Sequence, residues 1–314
     1  MRIAIVGTGA MGSVYAGLLA AAGNDVVAID HNLKHVEAIA SNGLRVEGCS
    51  GDRVVRLHAV SDPLAAGGNC DLVIIATKAD HVADAAASLA PLLGPETPVL
   101  TIQNGLGSAE QLAEVIGAER VLIGVAGGFG ASLRGAGHVH HNGMELIRLG
   151  EMHGGSSARL SRVEAVWREA GFNVRSYDDI QQLIWEKFVC NVAFSGPCAL
   201  MNLRIGEVIA DAQAWRVAMA CGLEAHRVGT ALDVRFGFTD PASYIRTFGL
   251  AIPDARPSLL LDHLAGRRSE INAINGMVPL LARKLGLQSP VNDVVVDLIK
   301  GRESGFDSRS EVAW

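Results

Sequence analysis

Short apolar runs alternate with Ala/Leu-rich stretches through the first half of the chain, a rhythm that predicts β-strands alternating with α-helices. Residues 3–6 (Ile-Ala-Ile-Val) read as a strand, then come glycines, a helix over 13–22 and a second strand over 25–30. Strand, turn, helix and strand within about thirty residues make the unit of a right-handed βαβ crossover, so the sheet is expected to be parallel. Further strands are expected at 72–76, 99–102, 121–125 and 173–177, and helices at 33–40, 81–93, 108–115 and 163–170. Residues 44–60 read as a hairpin insertion around Gly51-Asp52. Residues 137–150 read as two extended runs about Asn142-Gly143, a turn dipeptide.

From Gln181 onward the strand-like alternation stops. Segments 215–232 and 258–287 carry helical spacing, and the turn residues of 237–257 are expected to join helices. The boundary is placed near Asp178, giving an α/β domain over 1–178 and a helical domain over 179–314, with the tail from Ser304 expected to fray. There is no internal repeat. No run of about eighteen uncharged apolar residues suggests a membrane span. The first apolar stretch is interrupted by Gly7, Gly9 and Gly12 with only Arg2 ahead of it, unlike a signal peptide.

Composition narrows the class. At 314 residues and 49% hydrophobic, the chain can bury more than one core, and 36 glycines with 5% aromatics suit tight turns between Ala/Val/Leu elements. A formal net charge of -6 argues against a nucleic-acid or anionic-membrane partner and leaves a small molecule as the expected one. Cys49, Cys70, Cys190, Cys198 and Cys221 are scattered and odd in number, without a C-x-x-C pair. They are expected to be buried reduced thiols of a cytoplasmic protein. The apolar helices of the second half can pack internally or against a twin subunit, which leaves a homodimer open.

Gly7-Thr8-Gly9-Ala10-Met11-Gly12 fits G-x-G-x-x-G, directly after an apolar strand and at the opening of a helix. In that context Gly7 permits the turn, Gly9 lets backbone approach a pyrophosphate and Gly12 lets helix and strand pack closely. Asp30 ends the second strand, where a carboxylate accepts from an adenosine ribose and repels a 2′-phosphate, favouring NAD over NADP. His31, Lys34 and His35 follow as candidate phosphate partners. Lys78 and Asn104 both follow predicted parallel strands, at the carboxyl edge where open α/β sheets bind ligands.

Lys187, Asn191 and Ser195 recur at steps of four, so a helix projects them from nearly one face, beside the apolar Phe188, Val189, Val192 and Ala193. An ammonium there can protonate a ketone oxygen while hydride reaches its carbon, and it stabilises the developing alkoxide beforehand. Asn191 and Ser195 can orient the substrate. Glu270, placed inside a helix by its spacing, can hold the lysine charged or bind a substrate hydroxyl. Ser258 follows Pro257 at a helix start, where free N–H groups can receive a carboxylate. His138, His140 and His141 lack metal-ligand spacing, and a strand would split them between its faces.

With these residues together, the chain resembles the ketopantoate reductase (2-dehydropantoate 2-reductase) family along nearly its whole length. The fingerprint, Thr77-Lys78, Gln103-Asn104-Gly105, Gly130-Ala131, Trp185-Glu186-Lys187 with Asn191, and Ser258 to Glu270 carry the likeness in order. The resemblance implies a Rossmann-type domain followed by an all-helical domain similar to that of 6-phosphogluconate dehydrogenases. It implies NAD(P)H-dependent reduction of 2-dehydropantoate to pantoate, with NADP the family expectation. Lys187 would donate the proton, with Glu270 beside it in catalysis and also touching the dinucleotide. Asn191, Ser195 and Ser258 would bind substrate; residues 7–12, Asp30, Lys78, Asn104 and Ala131 would bind the cofactor. Ser195 and Ile205 stand where members carry asparagine, and Ala126-Gly127-Gly128-Phe129 replaces a Thr/His-bearing stretch. A paralogous dehydrogenase of another 2-keto or hydroxy acid is the alternative, and a non-enzymatic dinucleotide-binding regulator the third.

Overall fold

Strands apolar on both sides need cover on both faces, and Ile3, Ala4, Ile5 and Val6, all buried, occupy such a position. The computed structural model describes residues 1–143 and 145–306, so most of the tail expected to fray lies outside the described residues. Two compact units emerge: Met1–Gln103 with Ser108–Ile180, and Asn104–Gly107 with Gln181–Trp314.

The first unit begins β1 (Arg2–Val6), α1 (Ala10–Ala21), β2 (Asp25–Ile29), α2 (Leu33–Asn42), β3 (Leu44–Gly48), β4 (Arg53–Val55) and β5 (His58–Val60). It continues through β6 (Leu72–Ile75), α3 (Val82–Ala87), β7 (Val99–Thr101), α4 (Ser108–Ile116), β8 (Val121–Ala126), β9 (Gly130–Gly135) and β10 (His138–Gly143). β11 (Ile147–Glu151), α5 (Ala158–Glu169) and β12 (Val174–Ser176) complete it. The main sheet runs β12-β11-β8-β7-β6-β1-β2-β5. Its neighbours are parallel except β11, which runs antiparallel to β8. Strand order reverses at β1, the switch point beside which open α/β sheets bind ligands. A second sheet, β4-β3-β10-β9, packs against α1.

Three expectations change here. The 44–60 insertion is a hairpin only as far as β4; β5 leaves it to pair with β2 at the edge of the main sheet. Asn142-Gly143 does not turn one run onto the other. β10 pairs with β9 and β3, whereas β11 joins β8, so the two runs belong to different sheets. The tight turn lies instead at Gly137, whose φ of 68° suits glycine. Ala131, expected in a cofactor loop, lies in β9 opposite His141. A glycine-opened run with little apolar alternation hid that strand.

The second unit is helical: α6 (Ile180–Met201), α7 (Ile205–Ala210), α8 (Ala212–Ala231), α9 (Pro241–Ala251), α10 (Ser258–Leu264), α11 (Met277–Lys284) and α12 (Pro290–Glu303). Its core gathers Phe188, Val189, Val192, Phe194, Val208, Cys221, Ile245, Ile274 and Ile299. α9 falls where joining turns were expected. Asp240 caps it by accepting from Ala242 N–H at 3.0 Å, and Pro241 occupies its first turn, so apparent turn residues are helix-start residues. The expected helix over 258–287 is two helices. Gly266, at φ 66°, follows the end of α10, and residues 271–276 form turns before α11. Four cysteines are buried as expected; Cys49 is exposed.

α6 runs through Pro197 because a side chain bridges its backbone. Asn275 Oδ1 accepts from Gly196 N–H at 3.2 Å while its Nδ2 donates to Val192 C=O at 2.9 Å, the two groups an uninterrupted helix would pair. Among the described residues, no helix is long and apolar enough to cross a membrane.

A methyl group on Gly17 of α1 would collide with Val46 Cγ2 of β3, which is fully buried. Overpacking should outweigh alanine's helix-propensity gain of about 1 kcal/mol. Gly17→Ala is expected to lower unfolding free energy by about 1–2 kcal/mol in denaturant titration. A more stable variant would contradict this packing of α1 on the second sheet.

Candidate active site

The dinucleotide turn is built by exclusion. Gly7 has φ 89°, and a Cβ there would lie 2.6 Å from Thr77 N, so β1's exit abuts the segment after β6. A Cβ on Gly12 would collide with Gly7 C=O. Gly9 differs: nothing lies within 4 Å of its Cβ position, leaving open space at the start of α1. Gly9 is also the N-cap of α1 and supplies no side-chain cap, so no cap side chain takes the first-turn N–H groups. Gly7 N and Thr8 N both donate to Ile29 C=O, at 2.8 and 3.3 Å. The hydroxyls of Thr8 and Thr77 are buried there without a hydrogen-bond partner. Open space, uncapped amides and unsatisfied hydroxyls at one turn fit the pyrophosphate of a dinucleotide.

Asp30 follows β2 with a side chain only 9% exposed, its Oδ1 accepting from Asn32 N–H at 2.9 Å. His31 is exposed beside it. His35, a candidate phosphate partner by sequence, is instead buried at 2% exposure and has both ring nitrogens engaged, with Ser13 and Gly137. Lys78 is exposed in the segment following β6. His138 Nε2 and His140 Nδ1 both approach Glu47, at 3.1 and 3.2 Å, while His141 is buried.

In the helical unit Lys187 Nζ donates to Asn104 Oδ1 at 2.8 Å. Asn104 follows β7 in sequence, yet its segment, Asn104–Gly107, belongs with the helices. Leu106 N–H donates to Ala273 C=O at 2.9 Å, and a Cβ on Gly105, whose φ is 86°, would collide with that same carbonyl. Ala273 N–H in turn donates to Glu270 C=O at 3.1 Å. One side-chain hydrogen bond and two backbone ones therefore link the segments of three residues singled out separately by sequence: Lys187, Asn104 and Glu270. Sequence reasoning missed this link because an Asn-Gly pair reads as a turn wherever it occurs.

Glu270 is not helical, contrary to the expectation. It lies between α10 and α11, half-buried, because Gly266 follows the end of α10 and Glu270 C=O opens a series of turns. The stretch is anchored by Glu303 of α12, whose Oε1 accepts from His263 Nε2 and Ser269 N–H, each at 2.9 Å, and from the Ser269 hydroxyl. Burial raises the Glu303 carboxyl, but these donors outweigh it and hold it below its ordinary value. Asn191 is half-buried, and Ser195, two turns from Lys187, is buried at 3% exposure. Ser258 is exposed and opens α10, with Pro257 as N-cap.

A parallel sheet with an open glycine turn at a helix start fits a nucleotide-binding unit, and comparison with known proteins makes the chain an NAD(P)-dependent oxidoreductase acting on CH–OH groups. The model of the family described as ketopantoate reductase PanE/ApbA matches residues 3–154, and that of its C-terminal domain matches residues 179–303. The chain belongs to the ketopantoate reductase family. It is 32% identical over 305 residues to a 2-dehydropantoate 2-reductase of Archaeoglobus fulgidus, covering 97% of this chain and 99% of the relative. Its fold is similar to that of 2-dehydropantoate 2-reductase from Geobacter metallireducens, with a TM-score of 0.88, 32% identity and coverage of 96% and 99%. It is also similar to D-mandelate dehydrogenase in a ternary structure with NADH and anilino(oxo)acetate, with a TM-score of 0.88, 25% identity and coverage of 98% and 100%.

Glu303→Gln tests the anchor. With its pKa depressed in the folded state, Glu303 contributes stability above about pH 4.3, the ordinary glutamate value, and loses it as pH falls through the folded value. The variant is expected to be about 1–3 kcal/mol less stable at neutral pH, with the deficit shrinking in acid. A deficit constant with pH would contradict the assignment.

Proposed function

We propose that this protein reduces a 2-keto acid, with 2-dehydropantoate as the substrate and pantoate as the product. The single observation that carries the reading is the Lys187–Asn104 hydrogen bond, which fixes a half-buried ammonium on a helix of an oxidoreductase-family chain. Residues 7–12, with Asp30, Lys78, Asn104 and Ala131, hold the dinucleotide, which when bound supplies a hydride to the ketone carbon. Lys187 Nζ gives its proton to the ketone oxygen as negative charge develops there, leaving an alcohol and a neutral amine that water reprotonates. Asn104 orients that amine by accepting one of its hydrogens. Glu270 balances the ammonium's charge and also touches the dinucleotide; Asn191, Ser195 and Ser258 bind the substrate's carboxylate and hydroxyl.

Asp30 supports NADH as the preferred cofactor. A carboxylate at the end of β2 opposes a 2′-phosphate, and His35 is committed to internal hydrogen bonds and offers that phosphate nothing. One relative favours a second reading, oxidation or reduction of a different 2-hydroxy or 2-keto acid: D-mandelate dehydrogenase shares the fold, with NADH bound. Ser195 and Ile205, where family members carry asparagine, leave room for it.

Lys187→Ala is expected to lower kcat by about 100- to 10,000-fold in steady-state assays while dinucleotide affinity stays within about twofold. An unchanged kcat would remove Lys187 from the chemistry. A panel of 2-keto acids should give the highest kcat/KM with 2-dehydropantoate, and another acid ahead of it would favour the second reading. Fluorescence titration should show NADH binding more tightly than NADPH; the reverse order would overturn the role given to Asp30.

A further inference from the structure

The Gly7–Gly12 turn is tied to the second sheet by a chain of buried hydrogen bonds that the proposed chemistry does not use. Ser13 Oγ donates to Thr8 C=O at 2.7 Å and lies 3.1 Å from His35 Nε2; Gly137 N–H donates to His35 Nδ1 at 3.0 Å. These contacts fix the tautomer. Nδ1 accepts, so the ring proton sits on Nε2; the Ser13 proton goes to Thr8, so Ser13 Oγ accepts from Nε2–H. Every position in the chain is filled, and Ser13 and His35 are both buried. We propose that neutral His35 is a positioning residue for the dinucleotide turn, and that a proton on its Nδ1 releases Gly137 and loosens the turn, weakening dinucleotide binding in acid.

Two further observations support this. Thr8, whose carbonyl receives the chain, also carries one of the unpartnered hydroxyls at the turn. Burial lowers the His35 pKa most strongly, against smaller raising effects of Asp30 and the Thr8 backbone, so the neutral ring is its neutral-pH state. Among surrounding elements, α1 carries no charged side chain and β2 is followed by Asp30. Arg134 and His138 flank the Gly137 turn, His58 opens β5, and Lys34 and Glu37 share α2. Asp30 is the charge acting on the ring.

The inference rests on the reading that the sheet unit binds a dinucleotide, and calorimetric titration with ADP-ribose separates the two. Its pyrophosphate and adenine titrate below the range of interest. If the wild-type protein binds no ADP-ribose at any pH, the dinucleotide reading itself fails. If it binds, affinity should fall as pH drops below about 6.5, the ordinary imidazole value, with up to one proton released per ligand bound, measured from heats in buffers of different ionisation enthalpy. Binding without that release would overturn the inference. His35→Gln, which keeps a donor towards Ser13 but cannot take the second proton, should bind several-fold more weakly at neutral pH and release no proton. Ser13→Ala, which leaves His35 in place and within reach of the Thr8 backbone but removes the bridging hydroxyl, should reduce the proton release. Wild-type release in either variant would contradict the proposal.

Discussion

Lys187 Nζ and Asn104 Oδ1, 2.8 Å apart, form the interaction on which the proposed chemistry depends. An ammonium on a helix surface is ordinarily solvated and free to rotate; a fixed acceptor restricts it to one direction. Holding the acceptor still takes several weaker constraints. Gly105 admits only a glycine against Ala273 C=O, Leu106 bonds that carbonyl, and the same stretch begins at Glu270, itself beside the Ser269–Glu303 anchor. Behind Lys187, the bridge from Asn275 to Val192 and Gly196 carries α6 through Pro197, and Asn292 and Glu224 continue that buried network.

The sheet unit meets a different demand. Binding a dinucleotide calls for backbone amides left unpaired at a helix start, and the surrounding structure must hold that turn firmly. Gly7 and Gly12 are excluded from carrying side chains by Thr77 and Gly7 C=O, whereas Gly9 faces open space. Two glycines thus serve packing and one serves approach. Ser13 and His35 brace the carbonyl of Thr8 from beneath, so the loop is held on its protein side and left open on the other.

Much of this was legible in the residues. Uniformly apolar strands such as Leu72–Ile75 and the glycine turn announce a parallel sheet, and steps of four set Lys187, Asn191 and Ser195 along one helix. The departures have local causes. β9 opens on glycine and lacks alternation; Asp240-Pro241 resembles a turn but caps α9; one glycine after α10 takes Glu270 out of the helix that its neighbours' spacing suggests. The long-range links left no sequence signal. Nothing in an Asn-Gly pair says that a lysine 83 positions later will meet it, and nothing in His35 announces that its two nitrogens are spent inside the fold.

In the proposed reaction the Lys187 amine, oriented by Asn104, meets the oxygen of the reacting ketone. A crystal structure with dinucleotide and a non-reacting 2-keto acid analogue tests it most directly. Lys187 Nζ is expected within hydrogen-bond distance, about 3 Å, of the keto oxygen, with Asn104 still accepting from it. An amine turned away from that oxygen, with another acid in its place, would contradict it.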